Sequence, residues 1–240
     1  MALPKLNVPV YETILPSTDK VIKYRPFLVR EEKILLTALE DVTGKEMPVA
    51  IKQIINNCIQ TELDVENLST FDIEYLFLRL RAKSVGEIVT VGLKPFPCGQ
   101  NEGKLCEKTT EVKINLEEVK VLKNKKHNNK IMLDDKIGVV MKYPDSSSLE
   151  NTEGNNFDVG MYIIKNSIKM IFTAEETHER DSFTDEELGE FLDSLNSDQF
   201  QRIREFFDTM PKLSHTVKYT CSTCGEKKET ILEGLNSFFG

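Results

Sequence analysis

The residues best suited to chemistry are two cysteines late in the sequence. Residues 215–220 alternate between polar and apolar types, Cys221-Ser-Thr-Cys224-Gly225 follows, and a second short alternating run leads to Leu232. Two thiolates on one tight turn can bind the same metal ion, and glycine adopts the positive φ that such a turn needs. The pattern predicts a strand, a zinc knuckle and a second strand.

A second cysteine pair lies far earlier in the chain. Cys98 and Cys106 lie in the segment that starts at Val91, and an alternating segment over 110–116 comes after them. This pattern also predicts a strand, a cysteine turn and a strand. Two such hairpins together supply the four thiolates of a tetrahedral zinc site, and four thiolates leave no coordination position for a water molecule. We therefore predict a structural Zn²⁺ bound by Cys98, Cys106, Cys221 and Cys224.

Alternatives to this site remain open at the level of the sequence. The first pair is spaced Cys-x7-Cys, so Cys98 and Cys106 could be ordinary thiols and Cys221 and Cys224 a redox pair. A redox motif usually opens a helix, whereas a polar, strand-like segment follows here. His215 is an alternative metal ligand. Cys58 lies in an apolar helical run and is predicted to be a buried core thiol.

Composition limits the classes of protein to consider. The 240 residues are 40% apolar and 29% charged, which is typical of a globular chain with a sizeable core. The net charge of −8 argues against general nucleic-acid binding, which depends on cationic side chains that neutralise phosphates. No apolar run is long enough for a membrane span or a signal peptide. An odd number of cysteines without an export signal fits a reducing compartment. We expect a soluble cytoplasmic protein.

The sequence predicts an α+β fold in three parts. The elements that position the cysteines are strands and three helices over residues 1–86, a discontinuous zinc-ribbon-like domain over 87–118 with 214–240, and a mostly helical insertion over 119–213. The predicted segments are strands at 10–14, 20–24 and 130–133, helices at 31–40, 48–59, 70–83 and 156–172, a solvated basic loop at 120–130 and an exposed acidic link at 173–182. The helix at 70–83 is apolar around much of its circumference and is predicted to be buried. A capping box at Thr184 opens the next helix, and Ser197 opens the last one similarly. Phe238 and Phe239 are candidates either for contact with a partner or for packing on the chain's own core.

Motifs for catalysis are absent from the sequence. It contains no Gly-x-Ser-x-Gly, no P-loop and no His-Glu-x-x-His. His178 lies among Glu175, Glu176 and Glu179, a cluster that fits an exposed acidic loop better than a cation site. We therefore predict a protein that is not an enzyme and has no small-molecule substrate.

Several stretches of the sequence are distinctive when taken together: residues 1–7, Lys23-Tyr-Arg-Pro-Phe27, residues 71–87, residues 137–144, residues 206–215 and the Cys221-x-x-Cys224-Gly225 knuckle. Together they resemble the baseplate hub protein family of T-even-type contractile-tailed bacteriophages. The first cysteine pair departs from the family's paired Cys-x2-Cys pattern.

The resemblance implies a structural or assembly protein of the baseplate hub. Its partners would be other hub or tail proteins, with no nucleic acid or membrane. It would be found in the tail baseplate of the virion, or in the host cytoplasm during assembly. Two other classes remain as alternatives: a zinc-ribbon protein that binds nucleic acid or regulates transcription, and an enzyme whose site is assembled from scattered residues.

Overall fold

The computed structural model describes residues 6–42, 45–93, 109–145 and 156–239, and it has the predicted α+β fold. The elements up to the first hairpin are β1 (Tyr11–Ile14), β2 (Val21–Tyr24), α1 (Val29–Leu39), α2 (Glu46–Cys58), α3 (Thr70–Ser84), β3 (Ile88–Leu93) and β4 (Thr110–Asn115). They are followed by β5 (Lys120–Leu122), β6 (Lys130–Met132), β7 (Gly138–Met141), α4 (Asn156–Ser167), β8 (Ile168–Phe172) and β9 (Thr177–Glu179). The last are α5 (Asp185–Asp193), α6 (Ser197–Thr209), β10 (Lys212–Thr220), β11 (Lys227–Glu233) and α7 (Asn236–Phe239).

The chain forms two compact units. The first comprises the described residues within Met1–Val65, Phe71–Leu122 and Lys212–Gly240, and the second those within Glu66–Thr70 and Lys123–Pro211. The chain leaves the first unit after Leu122 and returns at Lys212, and these two residues are paired between β5 and β10. The finer division into residues 1–86, a hairpin domain of 87–118 with 214–240, and an insertion over 119–213 stays a prediction.

The first unit begins with an antiparallel hairpin, as the alternation predicted. β1 and β2 pair from Tyr11 opposite Tyr24 to Ile14 opposite Val21. The other edge of β2 is joined to the end of α2, where the N–H of Arg25 donates to the carbonyl of Cys58 at 3.0 Å. These bonds fix the hairpin beside α2.

Helix α3 is buried around much of its circumference, as predicted. Its buried side chains are Phe71, Asp72, Ile73, Leu76, Phe77, Leu78, Leu80 and Ala82. Such an apolar surface must be covered by other elements on several sides. The helix is therefore the core element of the first unit.

A buried ion pair holds the start of α1. The Glu31 side chain is fully buried, and its carboxylate accepts two bonds from the Arg25 guanidinium, at 2.9 and 3.3 Å. The N–H of Leu28 and the side chain of Arg30 donate to the same carboxylate. Burial alone would raise the pKa of Glu31, but these hydrogen bonds lower it to about 2. Arg25 also donates to the carbonyl of Asn57, so the pair ties α1 to the end of α2.

In its described residues, the second unit combines one sheet with three α-helices. Its four strands are ordered β6-β7-β8-β9 and are antiparallel. The core beneath them consists of Leu133, Val139, Met141, Ile164, Ile168, Leu188, Leu192, Ile203 and Phe206. The capping box predicted at Thr184 is present, since its hydroxyl accepts the N–H of Glu187.

Four segments of the sequence prediction were wrong in detail. The helix predicted over 156–172 ends at Ser167, and Ile168–Phe172 forms β8 because β7 offers a strand with which it pairs. The acidic link at 173–182 contains β9, which pairs with β8. The basic loop at 120–130 begins with β5, which pairs with β10. Helix α6 is capped by Asn196, whose side chain accepts the N–H of Gln199, and not by Ser197.

The two C-terminal aromatic residues differ in burial. Phe238 is 2% exposed and belongs to the chain's own core. Phe239 is 41% exposed and meets the ring of Phe77 edge-on, with 6.3 Å between ring centroids. The tail is also held by Glu74, which accepts the N–H of Leu235 at 3.1 Å. No helix among the described residues has both the length and the apolar character required to cross a lipid bilayer.

We expect Glu31→Gln to lower the free energy of unfolding by about 3 kcal/mol at pH 7, because it leaves the buried Arg25 without its counter-ion. The native carboxylate contributes stability above its ordinary pKa of 4.5, and this contribution is lost as the pH falls towards about 2. Urea unfolding at several pH values should show the difference between variant and native protein shrinking across that interval. Glu32→Gln, on the exposed neighbour, is the control. A difference that does not change with pH would contradict the assignment.

Candidate metal centre

The second cysteine pair lies in the predicted strand, turn and strand. β10 and β11 pair antiparallel from Ser214 opposite Glu233 to Thr220 opposite Lys227. Within the turn, the N–H of Cys221 donates to the carbonyl of Glu226 at 2.8 Å, and the N–H of Gly225 donates to the carbonyl of Cys221 at 2.9 Å. Gly225 has φ +75°, the left-handed conformation for which a glycine was expected. The predicted order of strand, cysteine turn and strand is therefore present.

The turn brings the side chains of Cys221 and Cys224 together. Cys221 is 7% exposed, and the half-buried Cys224 packs against it. Two adjacent thiols on one turn are chemically suited to bind a single Zn²⁺ as thiolates and supply half of a tetrahedral site. The other two predicted ligands, Cys98 and Cys106, lie outside the described residues. Within the parts of the chain that the structure describes, no group of three or more potential ligands is assembled.

The strands on either side of the first cysteine pair form the predicted hairpin. β3 and β4 pair from Ile88 opposite Asn115 to Leu93 opposite Thr110. Cys98 and Cys106 belong to the connection between Leu93 and Thr110. The segment that contains the first two cysteines therefore leaves the hairpin after Leu93 and returns to it at Thr110, and these two residues are paired.

Thr110 joins the first hairpin to the second cysteine turn. Its Oγ1 accepts the N–H of Ser222 at 3.1 Å, and its hydroxyl donates to Oγ of Ser222 at 3.2 Å. Thr110 is 8% exposed, so both bonds are largely shielded from water. Ser222 lies between Cys221 and Cys224. Two residues 112 positions apart in sequence are therefore in contact. Thr110 follows the connection that contains Cys98 and Cys106, and Ser222 lies within the Cys221–Cys224 turn.

Helix α3 fixes the first hairpin from its other end. The guanidinium of Arg79 donates to the carbonyls of Leu116 and Val119, at 2.9 and 2.7 Å, in the turn that follows β4. Such bonds from a charged donor to a backbone acceptor are stronger than neutral ones. β5 follows this turn and pairs with β10, so the backbone runs from the first hairpin directly into the sheet of the second.

The structure also gives the positions of the other candidate residues, His215, Cys58 and His178. His215 lies opposite Leu232, about 17 Å along β10 from Thr220 at about 3.4 Å per residue, which is too far for a ligand at the knuckle. Cys58 is fully buried, and burial raises the pKa of its thiol to about 11, as expected for a core residue. His178 is half exposed on β9, with Nε2 3.5 Å from a carboxylate oxygen of Glu176.

Sequence reasoning did not identify Thr110 or Ser222 as site residues. One signal was present: Thr110 occupies the same face of the alternating segment as Val112 and Ile114, where a polar side chain needs a hydrogen-bond partner. That partner, Ser222, belongs to a segment that follows the whole second unit in sequence.

We expect Thr110→Val to lower the free energy of unfolding by about 1–2 kcal/mol, because the variant keeps the shape of the side chain and loses both bonds to Ser222. Thr110→Ser keeps the hydroxyl and should retain most of the native stability. Chemical denaturation of the three proteins measures the difference. A loss of stability in Thr110→Ser with none in Thr110→Val would show that the methyl group, and not the hydroxyl, matters at this position.

Comparison with known proteins gives one family. The family model described as T4 bacteriophage base plate protein matches residues 8–240. No curated protein and no solved structure gives a significant match. The matched range includes both hairpins, helix α3 and the entire second unit. The resemblance noted in the sequence is therefore confirmed at the level of the family: the chain belongs to the T4 bacteriophage base plate protein family and is a structural protein of the phage tail baseplate.

Proposed function

We propose that this protein works in the central hub of the baseplate, as a hub component or as a factor in hub assembly. It acts through contacts with other hub or tail proteins and catalyses no reaction. The observation that carries the proposal is the family match over residues 8–240, because a structural baseplate protein must contact neighbouring phage proteins. The narrower assignment to the hub rests on the sequence resemblance over residues 71–87 and the cysteine knuckle.

We further propose that Cys98, Cys106, Cys221 and Cys224 bind one structural Zn²⁺. Three features support this: the adjacent thiols of Cys221 and Cys224, the positive φ of Gly225, and the contact between Thr110 and Ser222. A zinc ion would crosslink the two connections, and its binding free energy would add to the stability of the folded chain. With four thiolate ligands its role would be structural.

Copurification tests the hub role. A tagged form of the protein, expressed during infection, should be recovered together with other proteins of the tail hub. A tagged head protein of the same phage is the control, because it is made at the same time and should copurify with a different set of phage proteins. Recovery with nucleic acid or polymerase alone would overturn the proposal, and it would instead favour a zinc-ribbon regulator.

Elemental analysis tests the metal site. We expect about one zinc per chain, as a single four-ligand site implies, and loss of this zinc in Cys98→Ser and in Cys221→Ser. Cys58→Ala is the matched control, since Cys58 lies in the core and is not a predicted ligand. A chelator should lower the melting temperature of the native protein but not that of Cys221→Ser. Folded native protein without bound metal would remove the zinc proposal and leave the hub role intact.

A further inference from the structure

The second unit contains a cleft of about 450 Å³ that has no part in the proposed metal site. Its described lining combines two lysines, two asparagines and a group of stacked rings. The lining residues are His127, Asn128, Asn129, Met141, Lys142, Tyr143, Lys169 and Phe206. This volume falls within the range of small-ligand sites and is sufficient for one or two side chains of another protein.

The aromatic wall of the cleft is built around His127. Its ring stacks on Tyr143 with 5.6 Å between centroids and an interplanar angle of 17°, and it packs on Phe206 at 4.9 Å. Nδ1 lies 3.0 Å from Oγ1 of Thr209. The Thr209 hydroxyl itself donates to the carbonyl of Glu205, so it accepts from an Nδ1–H. The proton is thereby assigned to Nδ1, and Nε2 is a buried acceptor without a hydrogen-bond partner among the described residues.

The charged groups of the described lining are both cationic. Lys142 forms an ion pair with Asp145, with Nζ 3.6 Å from a carboxylate oxygen, and its side chain is 49% exposed. The Lys169 side chain is exposed on the neighbouring strand. Burial lowers the pKa of His127, so this ring is neutral at pH 7 and adds no charge. The two ammonium groups exceed the single carboxylate of Asp145 beside them, so the cleft keeps a local positive charge on a chain whose net charge is −8, and it is complementary to an anion.

We propose that this cleft binds the carboxylate of an acidic side chain from a neighbouring baseplate protein. The carboxylate meets the ammonium groups of Lys142 and Lys169 and the side-chain amides of Asn128 and Asn129. The aliphatic part of the incoming side chain lies against the rings of Tyr143 and Phe206. A protein source is favoured over nucleic acid because the rest of the chain is acidic and repels a polyanion. The inference requires neither the zinc site nor the hub role.

Glutarate, which presents a carboxylate on a short aliphatic chain, serves as the probe. It is titrated into the full chain while NMR follows the imidazole signals of His127, with sodium chloride at matched ionic strength as the reference. We expect a saturable shift with a dissociation constant in the millimolar range. The double variant Lys142→Met with Lys169→Met should weaken binding at least about tenfold, because both charge partners of the carboxylate are removed. Lys136→Met, an exposed lysine of the same unit, should bind as the native protein does.

Three results would overturn the proposal. The first is a shift that follows ionic strength and does not saturate. The second is equal binding by native protein and the double lysine variant. The third is saturation by inorganic phosphate but not by glutarate, which would replace the carboxylate by a phosphate ligand. Melting curves of each variant confirm that the compared proteins are equally folded.

Discussion

The first unit depends on the burial of helix α3, because a helix covered on several sides must satisfy its polar side chains inside the protein. These side chains bind the backbone of segments that are distant in sequence. The bonds run from the N–H of Ser17 to Asp72, from the N–H of Leu235 to Glu74, and from Arg79 to the carbonyl of Leu116. Burial raises the pKa of Glu74, and the N–H of Leu235 partly offsets that rise by donating to the carboxylate. One helix therefore sets the positions of the N-terminal hairpin, the C-terminal tail and the turn after β4.

Within the first unit, several contacts of similar free energy hold together the segments that come before and after the second unit in sequence. Closing a loop of 112 residues, the separation of Thr110 and Ser222, costs about 4 kcal/mol of chain entropy. Their two hydrogen bonds contribute about 1 kcal/mol each and do not offset this cost alone. The ladder between β5 and β10 and the burial of Phe238, which is worth about 2–3 kcal/mol, supply the remainder. The end of the first hairpin at Thr110 and the Cys221–Cys224 turn are thus brought together by packing and hydrogen bonds of the polypeptide itself.

Much of the fold could be predicted from the sequence where the signal was local. Alternation identified β1, β2 and the strands of both hairpins, and a capping box identified the start of α5. The errors at β5 and β8 occurred where pairing with a distant strand decided the outcome. Ile168 and Ile171 fit a helical face as well as a strand, and the presence of β7 selects the strand. In the same way, the basic stretch after Lys120 contains a strand because β10 lies beside it, and His127 in that stretch packs against the rings of Tyr143 and Phe206.

The candidate site shows the same boundary between local and distant requirements. Gly225 could be predicted because a tight cysteine turn needs a positive φ at that residue, whatever the rest of the chain does. The role of Thr110 depends on a segment 112 residues away, so no local pattern could name its partner. Its phase in the strand nevertheless carried information, because a hydroxyl on the same face as Val112 and Ile114 has to be satisfied by something other than water. A polar residue in the apolar phase of a strand next to a cysteine pair therefore marks the point at which a second segment arrives. Here that segment is the other cysteine turn.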